Sequence, residues 1–376
     1  MNAMDATDLF GRYRHQLLLR DFGTVAQQKL SDASVLVAGA GGLGCAILQY
    51  LAAAGTGTIG IADDDTVELT NLNRQVLYGN HDIGLLKANR AAIRLKEINP
   101  GIDIQVYPLR LTNLNILGIM QHFDVIVDGT DNRASKYMIN DACVLTGKPL
   151  VFGAVSEFEG HVAVFNMVTS RGPSANYRDI FPDHWSDSPE TGCKDTGVIG
   201  TLTGIIGCMQ GNEVIKVITG IGDPLMNRLV TYNALTGRMH EFDIQASPAT
   251  RKRIPADTAT FLQTIYERPC EAENCDGLEI QAEEFQHLIN REDITIIDVR
   301  ENPRRVPPGF RHIHIPYFRL HESLAAIKGE TVITFCERGM VSLKAARLLK
   351  EAFPYGKRIY SLRHGINHWH KTNRIA

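Results

Sequence analysis

Apolar residues in the first half of the chain come in short unbroken runs separated by stretches of helical period. Val35-Leu36-Val37-Ala38 and Ile59-Gly60-Ile61-Ala62 read as strands buried on both faces. Cys45 to Ala54, between them, predicts a helix. Ile102 to Leu109 and Asp124 to Asp128 predict two more strands, and Gly84 to Ile98 and Asn132 to Leu145 two more helices, the first ended by Asn99-Pro100. Leu9 to Leu30 reads as one or two amphipathic helices. Pro149 to Val155 and His161 to Asn166 add strands, with later ones free to pair antiparallel. Thr201 to Thr219 is helical with Gly220 as C-cap, and Leu229 to Asn233 and His240 to Ile244 look like a closing strand pair. This alternation predicts an α/β fold with a doubly wound, mainly parallel sheet.

Two stretches break the pattern. Gly172 to Thr196 is rich in Pro, Asp, Ser and Gly and reads as a long loop, of the kind that is usually functional or disordered. Ala246 to Gly277 mixes prolines and charges and reads as a linker, with a short helix near Ala259 to Tyr266. A second, smaller α/β pattern starts at Leu278: helix Glu283 to Ile289, strand Ile294 to Val299, strand Thr331 to Phe335 and helix Ser342 to Phe353. The expected division is therefore 1–245, linker 246–277, and 278–376, in keeping with a chain too long for one core.

Composition removes some function classes. With 44% hydrophobic residues, 22% charged and a net charge of −3, no broad basic surface points to nucleic acid. Val35 to Ala62 carries no charge and is long enough to span a bilayer, but its clustered glycines each cost a helix roughly 1 kcal/mol relative to alanine. A strand–turn–helix–strand order explains the same glycines by position, so no membrane span is expected. Seven cysteines and no apolar leader pattern in Met1 to Phe10 point to a reducing cytoplasm.

The chemistry starts at Gly39-Ala40-Gly41-Gly42-Leu43-Gly44, directly after the first strand. Gly41, Gly42 and Gly44 let backbone approach phosphate at a helix N-terminus, and Asp63 and Asp65 stand about 20 residues on, where an acid reaches a ribose. That much fits NAD and ATP equally. Asn71-Leu72-Asn73-Arg74-Gln75 has no evident use in hydride transfer, whereas Arg74 can fork onto phosphate oxygens. Lys87, opening a helix, can add a point charge. Asp131, just past a strand at the carboxyl edge of the sheet, suits Mg²⁺ held against phosphates. Each also has a plain structural role open to it: Lys87 as a solvated helix charge, Asp131-Asn132 as an N-cap. Jointly they favour phosphate chemistry.

These motifs, with Gly84-x-x-Lys87 and Thr130-Asp131-Asn132, resemble the molybdopterin-synthase and thiamine-pathway sulfur-carrier adenylyltransferases, prokaryotic relatives of ubiquitin-activating enzymes. The resemblance covers about Arg12 to Ile244. It implies that ATP adenylates the C-terminal glycine carboxylate of a small ubiquitin-like sulfur carrier ending in Gly-Gly. By it Asp63 holds ribose, Arg74, Gln75 and Lys87 hold phosphates, and Asp131 holds Mg²⁺; a homodimer is also implied.

Two positions depart from that family. Arg12-Tyr13-Arg14-His15-Gln16 has histidine where an arginine reaching the partner subunit's ATP usually stands, leaving Arg14 or protonated His15 for that role. Asn176-Tyr177-Arg178-Asp179 replaces the first of two zinc-binding Cys-x-x-Cys pairs, and only Cys270 and Cys275 remain later, at the wrong spacing. Two thiols do not close a tetrahedral site, so no structural zinc is expected. This resembles the zinc-free branch fused to a rhodanese-like domain.

Two thiols are candidates for chemistry. Cys193 lies in the long loop beside Lys194, which would favour thiolate; the family places a cysteine here, thought to attack the acyl-adenylate or to link with a persulfide. Cys336 ends a strand and opens Cys336-Glu337-Arg338-Gly339-Met340-Val341-Ser342, whose backbone N–H groups can hold a sulfur anion. Together with Asp298-Val299-Arg300-Glu301 and Leu362-x-x-Gly365-x-x-x-Trp369, this loop resembles the rhodanese active loop over about Leu278 to Ile375. A persulfide donor, either a cysteine desulfurase or thiosulfate, is implied. Val341 stands where rhodaneses often carry a second arginine. Cys45, Cys143 and Cys208 read as core. An NAD-dependent oxidoreductase and a degenerate ATP-binding scaffold remain as alternatives.

Overall fold

The computed structural model describes residues 11–169, 172–182, 197–266, 277–301, 309–337, 339–353 and 356–373. The chain divides into two compact units at Glu267/Arg268.

The first unit is built on an eight-stranded sheet: β1 (Ser34–Ala38), β2 (Thr58–Ala62), β3 (Asp103–Tyr107), β4 (Val125–Asp128), β5 (Leu150–Ser156), β6 (Glu159–Phe165), β9 (Arg228–Asn233) and β10 (Arg238–Asp243). A separate short pair, β7 (Val168–Thr169) and β8 (Gly172–Pro173), lies outside it. The order is β10-β9-β6-β5-β4-β1-β2-β3. The five strands β3, β2, β1, β4 and β5 are parallel. The last three, β6, β9 and β10, are antiparallel, as the expected closing pair required. The chain leaves β1 toward β2 on one side and returns to β4 on the other. That reversal makes the carboxyl ends of β1 and β4 the switch point where such sheets bind ligands.

Val35–Ala38 of β1 and Val125–Val127 of β4 are continuously apolar because helices cover both faces. One core packs Val35, Val37, Ile59 and Ile61 against the Gly42–Ala54, Lys87–Ile98 and Gly200–Thr219 helices; the other packs Leu36, Ile126 and Phe152 against the Arg133–Thr146 helix. Fully buried side chains such as Leu48 and Leu51 each contribute about 1.5–3 kcal/mol.

Some boundaries move for local reasons. The helix expected from Gly84 begins at Lys87, because Gly84 is left-handed (φ 87°) and Leu86 extended. Asn132 is the N-cap of the next helix, its Oδ1 accepting from Ser135 N–H at 2.9 Å. The expected linker begins with ordered structure: helices Pro248–Arg251 and Thr258–Gln263 belong to the first unit, and Phe261 is fully buried there.

The second unit holds a five-stranded parallel sheet in the order β11-β15-β14-β12-β13. Its strands are β11 (Glu279–Ile280), β12 (Ile294–Asp298), β13 (Ile313–His314), β14 (Thr331–Phe335) and β15 (Arg358–Leu362). Helix Met340–Ala352 starts directly after the loop that follows β14.

Candidate functional site

Strand β1 delivers the glycine turn to the sheet's carboxyl edge. Gly39 has φ 95°, and a Cβ there would sit 2.8 Å from Gly129 O, so the turns after β1 and β4 touch. At Gly44 a Cβ would meet Gly39 O at 2.1 Å, which excludes any side chain. Gly41 caps the Gly42–Ala54 helix, and no side chain among the described residues caps that end, so its first N–H groups are open to an anion.

Asp63, at the end of β2, braces this turn. Its Oδ2 accepts from Ala40 N–H at 2.7 Å and its Oδ1 from Asp65 N–H at 2.9 Å. Burial raises its pKa above the usual aspartate value, against the pull of the Lys87 charge. Asn71 shapes the next loop, its Oδ1 accepting from Glu68 N–H at 3.1 Å. That loop carries Arg74, whose Nη1 donates to Thr70 O and Asn73 Oδ1, each at 3.0 Å. Gln75 lies over the glycine turn, with Nε2 3.7 Å from where a Gly41 Cβ would stand, and its buried Oε1 has no hydrogen-bond partner among the described residues. Lys87 is buried with Nζ 2.9 Å from Asp65 Oδ2.

Asp131 completes the edge. It is exposed, and no hydrogen bond or ion pair joins its carboxylate to another described residue. The turn before it is held from below by Lys136, whose Nζ donates to Asp128 Oδ2 at 3.0 Å and to Thr130 O and Gly153 O at 2.9 Å each. Thr130 N–H and Oγ in turn donate to Asp128 Oδ1, and Gln210 Nε2 donates to Asp128 O. The tyrosine hydroxyl of Tyr78 donates to Ala40 O at 2.8 Å. Lys136, Gln210 and Tyr78 carry no motif; only their tertiary partners identify them.

These residues fit a polyphosphate with a divalent cation. Among the described residues the helix end has no side-chain cap, the buried Gln75 Oε1 has no hydrogen-bond partner, and the exposed Asp131 carboxylate is unpaired. Among the described residues no cluster of three or more potential metal ligands forms. A single exposed carboxylate such as Asp131 suits Mg²⁺, which takes one or two carboxylates and completes its shell with substrate oxygens and water.

Where the resemblance puts a cysteine pair, Asn176 to Asp179 forms a capping box, its Asp179 Oδ2 accepting from Asn176 N–H at 2.8 Å. Asp179 Oδ1 accepts from Ser247 N–H at 3.0 Å and from the Thr250 hydroxyl. Arg178 clamps buried Asp141 through two bonds, of 2.8 and 2.6 Å, and Tyr266 donates to the same carboxylate at 2.8 Å. Hydrogen bonds thus tie 176–179 to 247–266.

Arg14 and His15 are both exposed on the short Arg14–Leu17 helix. Cys193 lies outside the described residues, as do Cys270 and Cys275. Burial pushes the Cys45 thiol up to about 12 and Cys143 well above the ordinary value. Cys208, expected in the core, is only half-buried, and partial burial raises its pKa.

In the second unit Cys336 Sγ accepts N–H bonds from Gly339 at 3.2 Å and Ser342 at 3.4 Å, an arrangement suited to sulfur carrying negative charge. Arg300 is turned away from solvent onto Asp298 at 2.8–3.1 Å and lies over the Phe335 ring, so Asp298-Val299-Arg300 is a buried clamp beneath the loop.

A nucleotide-binding α/β domain and a separate thiol loop built for a sulfur anion define a two-part enzyme. Residues 13–253 match the ThiF family and residues 281–372 the rhodanese-like domain. The chain belongs to the ThiF family, in the adenylyltransferase type that carries a C-terminal rhodanese-like domain. It is 36% identical over 91% of its length to the probable adenylyltransferase/sulfurtransferase MoeZ of Mycobacterium tuberculosis, covering 88% of that protein. It is 43% identical, over 69% of its length and 96% of the relative, to the sulfur carrier protein adenylyltransferase of Thermus thermophilus. It is 35% identical, over 98% of its length and 85% of the relative, to adenylyltransferase and sulfurtransferase MOCS3 of Drosophila grimshawi. The crystal structure of E. coli MccB with MccA-N7isoASN shares the fold: TM-score 0.52, 22% identity, 60% of this chain and 68% of that one. No helix among the described residues is long and apolar enough to cross a membrane.

Proposed function

We propose that the chain uses Mg-ATP to adenylate the C-terminal glycine carboxylate of a small ubiquitin-like sulfur carrier and then converts it to a thiocarboxylate with sulfur held on Cys336. What supports this reading is that the glycine turn, Asp63, Gln75 and the Lys87–Asp65 pair lie at one switch point, with Arg74 on the following loop and Asp131 just past β4, on a chain that also presents a thiol to two backbone amides. Asp63 and Asp65 hold the ribose side, the uncapped helix end with Arg74, Gln75 and Lys87 the phosphates, and Asp131 the cation. Asn71 builds the loop. When bound, Mg²⁺ screens charge on the phosphates as the carboxylate attacks the α-phosphorus and pyrophosphate leaves; the protein mainly positions and neutralises.

The Cys336 thiolate takes a sulfane sulfur from a persulfide donor or thiosulfate, releasing the donor's thiolate or sulfite. The terminal persulfide sulfur attacks the acyl-adenylate and AMP leaves. A thiol, assigned to Cys193, then cleaves the acyl disulfide, freeing the thiocarboxylate and leaving a disulfide that a small-molecule thiol reductant reopens. Activation and sulfur delivery on one chain raise effective concentration. The enzyme works as a cytoplasmic homodimer, with Arg14 or His15 reaching the neighbouring nucleotide. ATP–pyrophosphate exchange with Gly-Gly-ended carriers from the same organism tests the first half: exchange supports it, and none with any such carrier refutes it.

A further inference from the structure

Beneath the Cys336 loop lies a chain of buried hydroxyls. The Ser361 hydroxyl, on β15 and fully buried, donates to Ser342 Oγ at 2.9 Å; the Ser342 hydroxyl donates to Gly339 O at 2.9 Å. Thr334, paired with Ser361 across β14 and β15, donates its hydroxyl to Ser342 O at 2.7 Å. The residues held this way, Gly339 and Ser342, are the two whose N–H groups reach Cys336 Sγ. Gly339 is also left-handed at φ 92°, and a Cβ there would press on His364 N at 2.8 Å, so the loop has one permitted path against the neighbouring strand's end.

A buried hydroxyl without a partner is costly, and these hydroxyls are spent on one another and on the loop rather than on solvent. Ser361 fixes the direction of the Ser342 proton: by donating to Ser342 Oγ it leaves that hydroxyl's own hydrogen for Gly339 O. Linked hydroxyls also polarise one another in sequence. We propose that Ser361 is a positioning residue for sulfur transfer, holding the two amides on the Cys336 sulfur through Ser342 without touching the sulfur itself. The proposal rests on Cys336 being the sulfur-carrying thiol.

The test is the pH profile of Cys336 alkylation by iodoacetamide in the full-length protein, followed by peptide mass and run without any sulfur donor. Ser361→Ala should slow alkylation at neutral pH by roughly 3- to 10-fold, recovered at high pH, because weaker amide bonds favour the neutral thiol. Ser342→Ala should do the same. Ile333→Ala, which opens a cavity on the opposite face of the same sheet among Phe285, Ile296 and Trp369, should lower stability and leave the alkylation midpoint in place. An unchanged midpoint in Ser361→Ala, or an equal shift in Ile333→Ala, overturns the proposal. Failure of the underlying sulfur-transfer role shows separately, as wild-type Cys336 taking up sulfur neither from thiosulfate nor from a persulfide donor.

Discussion

Lys87 and Asp65 meet with Nζ 2.9 Å from Oδ2, the lysine side chain 5% exposed and the aspartate 58%. A buried cation is thus held by a partner that is itself open to solvent, and the proposed phosphate site would draw on it. Lys87→Met should slow pyrophosphate exchange by roughly 10²–10³-fold, the range for losing one charge-stabilising donor. Rates within threefold of wild type would remove Lys87 from the phosphate site.

If Asp63 holds the ribose as proposed, it should give ATP binding a pH limb. Burial raises its folded-state pKa, so the carboxylate becomes protonated at a higher pH than a free aspartate would. A ribose held as proposed would donate to the ionised form, so ATP affinity should fall as pH drops through that raised pKa and hold above it. Asp63→Asn should bind ATP more weakly throughout and lose the limb. Calorimetric titration of ATP across mildly acidic pH reads both; an unchanged limb in Asp63→Asn would assign it to another group.

Lys136 neutralises Asp128 in the core beneath Asp131. Removing one partner of a buried pair leaves an uncompensated charge, at a cost of about 3–5 kcal/mol. Lys136→Met should lower the urea midpoint of the first unit's transition accordingly, and raise the Mg²⁺ concentration needed for ATP binding because the Thr130 carbonyl is released. Full stability in Lys136→Met would show that the turn is held by other means.

The Arg178–Asp141–Tyr266 cluster, with Asp179 on Ser247 and Thr250, joins distant segments through hydrogen bonds. Arg178→Ala should destabilise the first unit by about 3–5 kcal/mol for the same reason. A chelator should leave its unfolding unchanged. A fall in the midpoint on chelation would reveal a metal.

Much of this was readable in advance, and the exceptions share a cause. The central parallel strands β1, β2 and β4 announce themselves because burial on both faces makes them almost continuously apolar, and Gly39 to Gly44, Arg74 and Lys87 follow at fixed offsets. Cys336 was legible because a strand runs straight into it. Lys136, Gln210 and Ser361 were not: each acts through a partner at least eight residues away and looks like an ordinary helix or strand position. Residues 248–266 read as linker, with a short helix near Ala259 to Tyr266, because the stretch mixes prolines and charges; it joins the first unit through tertiary contacts, Phe261 and Tyr266 on the Arg133–Thr146 helix and its Asp141, and Asn113 on the Leu262 and Thr264 carbonyls. Cys208 sits on a helix whose apolar run overstated its burial.

The central claim is that one chain both activates a carboxylate and delivers sulfur to it. Intact-mass measurement of candidate carriers, after incubation with enzyme, Mg-ATP, a sulfur donor and a thiol reductant, tests it most directly. The predicted result is a mass gain matching one oxygen replaced by sulfur, lost in Cys336→Ala while pyrophosphate exchange persists. A carrier that undergoes exchange yet gains no sulfur, or gains it equally with Cys336→Ala, would contradict the account.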